Sequence, residues 1–478
     1  MPKRTKIIAT LGPASSSPEI IQQLIIAGAN VFRLNFSHGD SDDHRQRCLA
    51  IRQAAAHVGR QVAILGDLQG PKIRIAGFRD GPVMLANGDR FILDTQLGAA
   101  DGGRERVGVT YPQLISDCLP GQTLLLDDGR LELLIEHVDD NCIHTSVTSG
   151  GVLSANKGIN LRGGGLSAPA LTEKDYRDMK TVARLNLDYL AVSFPRSGDD
   201  IRFARNAAEE VGCQARIVAK IERAEAVASD AALDDIIEAS DAVMVARGDL
   251  GVEIGDAELI GVQKKIILRA RQLNRVVITA TQMMETMIDN PLPTRAEVFD
   301  VANAVLDGTD AVMLSAETAT GKHPVKVVEA MTRIILGAEK QPSTISSGHR
   351  LDRSFQRTDE AIAMAAMYTA NHLKSLKAIL CLTESGNTPL WMSRIRSGIR
   401  IYGISRNAAA LRAMCLYRGV IPFANESHDL HIDDVLAATM ARLKRDGALQ
   451  PGDQVLVSFG NMMGTRGETN TLKIVTVD

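Results

Sequence analysis

Eight short apolar runs recur along the chain, and helix-patterned segments separate most of them. The runs fall at residues 6–11, 30–36, 62–67, 189–194, 216–222, 242–247, 276–281 and 311–315. Helical periodicity occupies 18–27, which stops at Gly28, then 42–57, 199–211, a stretch between the fifth and sixth runs, 258–273 and 294–306. A last helix is expected at 324–339. Runs that are apolar at nearly every position have no solvent-facing side, which is the mark of a parallel sheet covered on both faces. Eight such strands alternating with helices predict a (β/α)8 barrel.

The rhythm breaks between about residues 72 and 169. Short alternating strands are expected there at 84–85, 90–93, 123–126, 130–135 and 143–147, with turn pairs Asn87-Gly88 and Asp128-Gly129 between them. This texture predicts a small antiparallel β-domain inserted after the third barrel strand. It leaves through Gly70-Pro71 and returns through Gly163-Gly164-Gly165. Two readings stand: a lid over the barrel face, or an inert insertion with a loose return loop. Residues 341–353 are polar and rich in Ser and Gly, as a linker is, and αβ alternation resumes after them as a doubly wound domain. Its helices are expected at 358–373 and 390–396, and strands at 377–382, 401–404 and 473–477. The expected division is therefore a barrel at 1–70 and 170–340, an insert at 71–169 and a C-terminal α/β domain at 341–478.

Composition narrows the function. Over 478 residues the net charge is -3, with 45% hydrophobic and 23% charged residues. There is no basic excess, so a nucleic-acid partner is not expected. No apolar stretch approaches membrane-spanning length. The six cysteines (48, 118, 142, 213, 381 and 415) have neither metal-ligand nor redox spacing. The apolar run near the start is too short for a signal peptide, and a cytoplasmic protein with reduced thiols is expected.

Barrels of this kind place their chemistry at the C-terminal ends of the strands, and those ends are polar here. The second strand offers Arg33, Asn35 and Ser37, with His38 beyond them. The third ends in Asp67, and Lys72 and Arg74 follow shortly after. On the fifth, Lys220 and Glu222 lie two apart and so share a face. The sixth ends in Arg247-Gly248-Asp249, the seventh in Thr279, Thr281 and Gln282, the eighth in Ser315 and Glu317. Arg33, Arg74 and Lys220 form a candidate cationic pocket, and Glu222 with Asp249 a candidate divalent-cation site. Paired hard oxygens suit Mg²⁺ or Mn²⁺, and cations around a metal are what phosphoryl transfer requires. A lone Lys-x-Glu also reads as a buried pair that holds strands in register. His38 equally reads as a hydrogen-bonded structural residue, and Glu317 as a group that satisfies a strand end. Met283, Met284 and Met287 are expected in the core. In the last domain, Thr383-Glu384-Ser385-Gly386-Asn387-Thr388 joins a strand to a helix. It reads as a phosphate cradle or as an ordinary capped turn.

With these stretches in view, the chain closely resembles the pyruvate kinases, of the bacterial kind. The stretches that carry the resemblance are TLGPAS (10–15), FRLNFSHG (32–39), GDLQGPKIR (66–74), NKGIN (156–160), AKIERAEA (219–226), MVARGDLGVEI (244–254), TATQMMETM (279–287) and the long run at 293–318. The resemblance implies phosphoryl transfer from phosphoenolpyruvate to ADP, giving pyruvate and ATP. It implies that Arg33 and Lys220 contact the phosphoryl group and that Glu222 and Asp249 ligate Mg²⁺ (or Mn²⁺). The backbone of Gly248 and Asp249, with Thr281, would hold the substrate carboxylate. Thr281 would lie on the proton relay, and Asn35, His38, Arg74 and Lys157 in the nucleotide site. It further implies a homotetramer regulated through the last domain, with Thr383, Ser385, Gly386, Asn387 and Thr388 binding the effector.

Two departures qualify the resemblance. Members that need K⁺ hold it with groups matching Asn35, Ser37, Asp67 and the Leu68 carbonyl, and carry a Glu where this chain has Lys72. A side-chain ammonium supplies the charge a bound monovalent cation otherwise brings, so K⁺ independence is expected. The segment 460–470 lacks the Trp of many fructose-bisphosphate-activated members, which points to a sugar monophosphate or AMP as effector. Related barrels that act as aldol lyases or mutases would share Glu222 and Asp249 but need no insert carrying Lys157. A metabolite sensor without catalysis would not need Lys220, Glu222, Asp249 and Thr281 together.

Overall fold

The computed structural model describes residues 3–345, 354–425, 431–460 and 467–478. The barrel strands are Lys6–Thr10, Val31–Asn35, Ala63–Asp67, Tyr189–Val192, Arg216–Ile221, Ala242–Ala246, Val276–Ala280 and Ala311–Leu314. They run parallel around a closed barrel in chain order, the first pairing with the eighth. Alternation along each strand makes two cores. Ile7, Phe32, Ile64, Ile217, Val243 and Val312 pack outwards with helix residues such as Leu24, Ile51, Met179 and Ile266. Ile8, Val31, Leu65, Val218, Met244 and Ile278 belong to the other cluster and fill the barrel. Both sets are almost wholly buried, which explains why the strands read as near-continuous apolar runs. Truncating one of the aromatic members, Phe32→Ala, would cost about 3–5 kcal/mol.

The helices have ordinary chemical starts and stops. Pro18–Ala27 begins behind Ser17, whose hydroxyl accepts the Ile20 N–H, and ends at Gly28. A helix at Glu173–Arg184, absent from the sequence-based expectation, starts in a capping box between Thr172 and Asp175. The last barrel helix is Pro324–Ala338. No helix among the described residues is long and apolar enough to cross a membrane.

The insert leaves after the third strand. Gly70, at φ 67°, lies so close to Ser193 that an added Cβ would approach the Ser193 Cβ to 2.7 Å. Six strands then form one sheet in the order Ile159–Leu161, Thr123–Leu126, Leu131–Val138, Cys142–Ser149, Arg90–Asp94, Arg106–Gly108. All neighbours are antiparallel except the last pair, which is parallel. Val83–Leu85 and Gly151–Leu153 make a separate two-stranded ribbon. The return loop is fastened. The Gly165 N–H donates to Glu225 Oε1 (2.6 Å), Gly163 N–H to the Glu253 carbonyl (3.0 Å), and Arg223 Nη2 to the Leu166 carbonyl (2.7 Å).

The C-terminal sheet has the order Val420–Ala424, Arg400–Ser405, Leu376–Leu382, Gln454–Gly460, Thr469–Thr476, parallel except for the last strand. The order reverses at Leu376–Leu382, which makes the loop after that strand the crevice of a doubly wound sheet. Of the expected linker, residues 346–353 lie outside the described residues, as do 461–466 of the segment without Trp. The domain docks under the barrel at the starts of its strands. Lys6 Nζ donates to the Val420 carbonyl (2.6 Å), Tyr189 Oη to the Ala413 carbonyl (2.6 Å) and Arg216 Nη2 to the Ser385 carbonyl (2.9 Å). Arg394 and Asp310 form a fully buried ion pair across the same junction.

Candidate active site

At the opposite, C-terminal mouth of the barrel, Asp67 is the hub. It is the last residue of its strand and 1% exposed. Its Oδ2 accepts Arg33 Nε at 2.6 Å, and its Oδ1 lies 3.4 Å from Lys220 Nζ. Arg33 Nη1 also donates to Thr10 Oγ1 (3.2 Å), and Lys220 Nζ to Ser193 Oγ (2.8 Å) and towards Glu222 Oε1 (2.9 Å). Burial pushes the Asp67 carboxyl up, but the charges of Lys220 and Arg33 outweigh it, and the group ends below the usual carboxylate range. For Lys220 burial works to discharge the ammonium, and the Asp67 and Glu222 carboxylates overcome it, so its pKa is raised. The cluster therefore holds a charged ammonium in a dry place, where charge acts most strongly.

Glu222 is fully buried; burial pushes its carboxyl up to about 7 against the pull of Lys220, with the Asp249 charge adding to the rise. Oε2 accepts the Phe194 N–H (2.8 Å), while Oε1 is buried with no well-formed hydrogen bond. Asp249 stands on the first turn of a helix, Arg247–Ile254, that begins directly at the end of the sixth strand. The strand stops at Ala246, one residue before the expected end. Asp249 Oδ1 receives Lys72 Nζ at 2.9 Å. A buried, under-bonded carboxylate oxygen beside a carboxylate whose partner is a partly exposed lysine is a fitting pair of hard ligands for Mg²⁺ or Mn²⁺.

Thr281 and Gln282 close the seventh strand with φ of 65° and 54°, and Phe194 beyond the fourth has φ 58°. Left-handed backbone in a β-branched residue is strained and must be held. Arg247 holds it: Nε and Nη2 donate to the Thr281 carbonyl (3.1 and 2.6 Å), Nη2 to the Gln282 carbonyl (3.1 Å), and Nη1 to Asp300 (2.8 Å). Arg247 thus clamps the loop instead of offering its charge to a ligand. Thr281 Oγ1 in turn accepts the Gly248 N–H (2.8 Å) and donates to the Ala280 carbonyl (2.7 Å). Lys72, Gly248, Asp249, Thr281 and Ser315 line a cleft of about 730 Å³, and Arg162 of the insert lines it too.

The structure does not gather every expected residue here. Arg74, expected with Arg33 and Lys220, bonds the Asn156 carbonyl (2.9 Å), and Lys157 pairs with Asp127 (2.6 Å); both stay with the insert. Asn35 Oδ1 accepts the Ser37 N–H (3.1 Å), and His38 is exposed. Lys72 reaches Asp249 and is not hydrogen-bonded to Asn35, Ser37 or Asp67. Glu317 satisfies backbone, accepting from Met284 (3.2 Å) and Ser315 (2.7 Å), and Met283, Met284 and Met287 are fully buried. In the last domain the helix Asn387–Ser393 opens directly from Gly386, at φ 84°. Thr383 Oγ1 accepts the Gly386 N–H (2.9 Å), Ser385 Oγ the Asn387 N–H (3.4 Å), and Thr388 pairs with Thr469 (2.9 Å). Thr383, Ser385, Asn387 and Thr388 line a crevice of about 60 Å³ with Arg406, a cation that sequence reasoning passed over because it sits after a different strand.

Comparison with known proteins agrees with this architecture. Residues 2–328 match the family model described as pyruvate kinase, barrel domain, and residues 360–475 the one described as pyruvate kinase, alpha/beta domain. The chain is 58% identical to pyruvate kinase II of Salmonella typhimurium over 478 residues, covering 100% of this chain and 99% of that one. It is 55% identical to a pyruvate kinase of Haemophilus influenzae, again over 100% of this chain and 99% of the other. Among solved structures, a pyruvate kinase from Cryptosporidium parvum superposes with a TM-score of 0.93 at 34% identity, covering 100% of this chain and 96% of that chain. With both family models matched in order and relatives aligned from end to end, the chain belongs to the pyruvate kinase family.

Proposed function

We propose that the chain transfers the phosphoryl group of phosphoenolpyruvate to ADP at the barrel mouth, giving pyruvate and ATP. The observation that carries this reading is the buried Lys220, kept charged between Asp67 and Glu222 with Arg33 beside it. Arg33 and Lys220 hold the phosphoryl oxygens, and Lys220 stabilises the charge that shifts between phosphoryl group and enolate. The Gly248 and Asp249 N–H groups, at the first turn of their helix, receive the substrate carboxylate together with Thr281. Glu222 and Asp249 hold Mg²⁺ (or Mn²⁺), which when bound would neutralise charge on the phosphoryl and enolate oxygens. Thr281 orients a water that delivers the proton to the enolate carbon, since a hydroxyl alone is a weak acid. Arg74 and Lys157 on the insert, with Asn35 and His38 on the barrel, take ADP when the insert closes as a lid.

Lys72 stands in for K⁺ in this reading, and Asn35, Ser37 and Asp67 would be the site were K⁺ used. The loop at Thr383, Ser385, Gly386, Asn387 and Thr388 receives the phosphate of a sugar monophosphate or AMP, within a cytoplasmic homotetramer. The test is pyruvate formation from phosphoenolpyruvate and ADP with Mg²⁺ in tetramethylammonium buffer, with and without KCl. Equal high rates support both the transfer and the role of Lys72. Turnover only with KCl overturns the role of Lys72 and returns Asn35, Ser37 and Asp67 as a cation site. No turnover under either condition, with sugar phosphates and AMP tried in turn, overturns the transfer itself.

A further inference from the structure

The long hairpin of the insert, Leu131–Val138 with Cys142–Ser149, carries a cluster that the barrel chemistry does not use. A bulge sets its geometry. Ile135 pairs with Thr145, but the next pair is His137 with His144, so one extra residue is accommodated on the first strand. The register shift brings two imidazoles directly across from each other, and their rings stack with centroids 4.0 Å apart and planes 10° from parallel. The turn supplies a carboxylate. Asp139 Oδ1 accepts the N–H groups of Asn141 (3.1 Å) and Cys142 (2.8 Å), which fixes the side chain and leaves Oδ2 facing His144 Nε2 at 2.8 Å. One ligating atom from each of His137, Asp139 and His144 lies within 4.8 Å of the other two.

A His144–Asp139 ion pair alone would account for the 2.8 Å contact. It does not account for the bulge that carries His137 onto the same spot. We propose that His137, Asp139 and His144 bind a transition-metal dication of the Zn²⁺ class, with water completing its shell. Two imidazoles and one carboxylate are a ligand set for Zn²⁺, Co²⁺ or Ni²⁺, whereas Mg²⁺ prefers an all-oxygen shell. Tetrahedral bonds of about 2.0–2.1 Å place donors roughly 3.4 Å apart. From separations within 4.8 Å the donor atoms need to close by up to about 1.4 Å, and the His144–Asp139 pair at 2.8 Å to open by about 0.6 Å, which rotation of these exposed or partly exposed side chains provides. Asp139 is already held by two backbone amides, and such outer contacts orient a ligand before the metal arrives. The bound ion would staple the tip of the hairpin.

The test uses the full-length protein, stripped of metal and dialysed against micromolar ZnCl₂ in excess Mg²⁺, which keeps the barrel carboxylates occupied. One equivalent of zinc is expected to be retained. The His137→Asn and His144→Asn variants, at exposed and partly exposed positions outside the hydrophobic core, are expected to weaken retention at least tenfold with unchanged circular dichroism. Co²⁺ should give a visible absorption band in the wild type that both variants lose. Retention unchanged in both variants, or lost only in Cys142→Ser, overturns the proposal. So does a wild-type protein that retains no zinc.

Discussion

Replacing Lys72 by Gln should tighten divalent-cation binding in the substrate-free protein. Lys72 Nζ lies 2.9 Å from Asp249 Oδ1, with the two side chains 24% and 22% exposed. The Asp249 charge is also felt by the buried Glu222. A cation held between Glu222 and Asp249 must take Oδ1 from the ammonium and tolerate a positive charge nearby. A hydrogen bond between charged groups contributes roughly 1.5–3 kcal/mol, and partial solvent screening reduces this pair to about 1–2 kcal/mol. Since about 1.4 kcal/mol is a factor of ten, removing the competitor should lower the Mn²⁺ dissociation constant roughly 5- to 30-fold. The assay is titration of free Mn²⁺ by electron paramagnetic resonance, without substrates, on wild type, Lys72→Gln and Lys72→Met. Lys72→Glu should bind tighter still, because it adds a carboxylate. Unchanged or weaker Mn²⁺ binding in both neutral variants would refute the reasoning and leave Lys72 without a hold on the metal pair.

Three further outcomes are expected. Lys220→Met should bind phosphoenolpyruvate in equilibrium dialysis yet lose about 10³-fold or more in kcat, since a charge aimed at the reacting group acts in the transition state; a loss in KM alone would deny it that role. Arg216 begins the strand that carries Lys220 and runs on into Glu222, and it donates to the Ser385 carbonyl of the loop at 383–388 at 2.9 Å. On the effector role proposed for this loop, Arg216→Met should cut the effect of a sugar monophosphate or AMP on half-saturating phosphoenolpyruvate by about fivefold or more while kcat stays near wild type, and an undiminished effect would remove Arg216 from the proposed coupling. His44 is buried against Phe36 with both ring nitrogens unpaired, and burial lowers its pKa from 6.5 to about 4. The unfolded chain then takes up the proton first, so stability falls as pH drops from about 6.5 to 4, by at most about 1.4 kcal/mol per pH unit. Urea midpoints measured at pH 7.5 and 5 should converge in His44→Phe relative to wild type.

What sequence revealed and what it hid divide along a physical line. The eight strands were readable to within one or two residues because both of their faces are buried, so apolar positions dominate them and the polar ones gather mainly near their ends. The period-two placement of Lys220 and Glu222 is a local property, and it survives into the structure as two side chains at one mouth. The helix at Glu173–Arg184 was announced by Thr172 and Asp175, a capping box that precedes Met179 and Val182, but the break at the insert obscured it. Strands of three residues, such as Arg106–Gly108, are too short to carry a period. Partnerships across the barrel were the hidden part. Arg247 looks like one more charged strand end until the seventh strand closes beside it and turns its guanidinium onto the Thr281 carbonyl. Lys72 looks like a free cation until the insert, leaving through Gly70, delivers it to Asp249 across 177 residues. In both cases the residue type was evident and its partner was not. A charge at a strand end can serve a ligand, a carbonyl or a carboxylate, and only closure of the barrel decides which of these lies within 3 Å. The same closure places Arg216 at the foot of the strand whose top holds Lys220, which makes one strand a continuous physical connection between the loop at 383–388 and the barrel mouth.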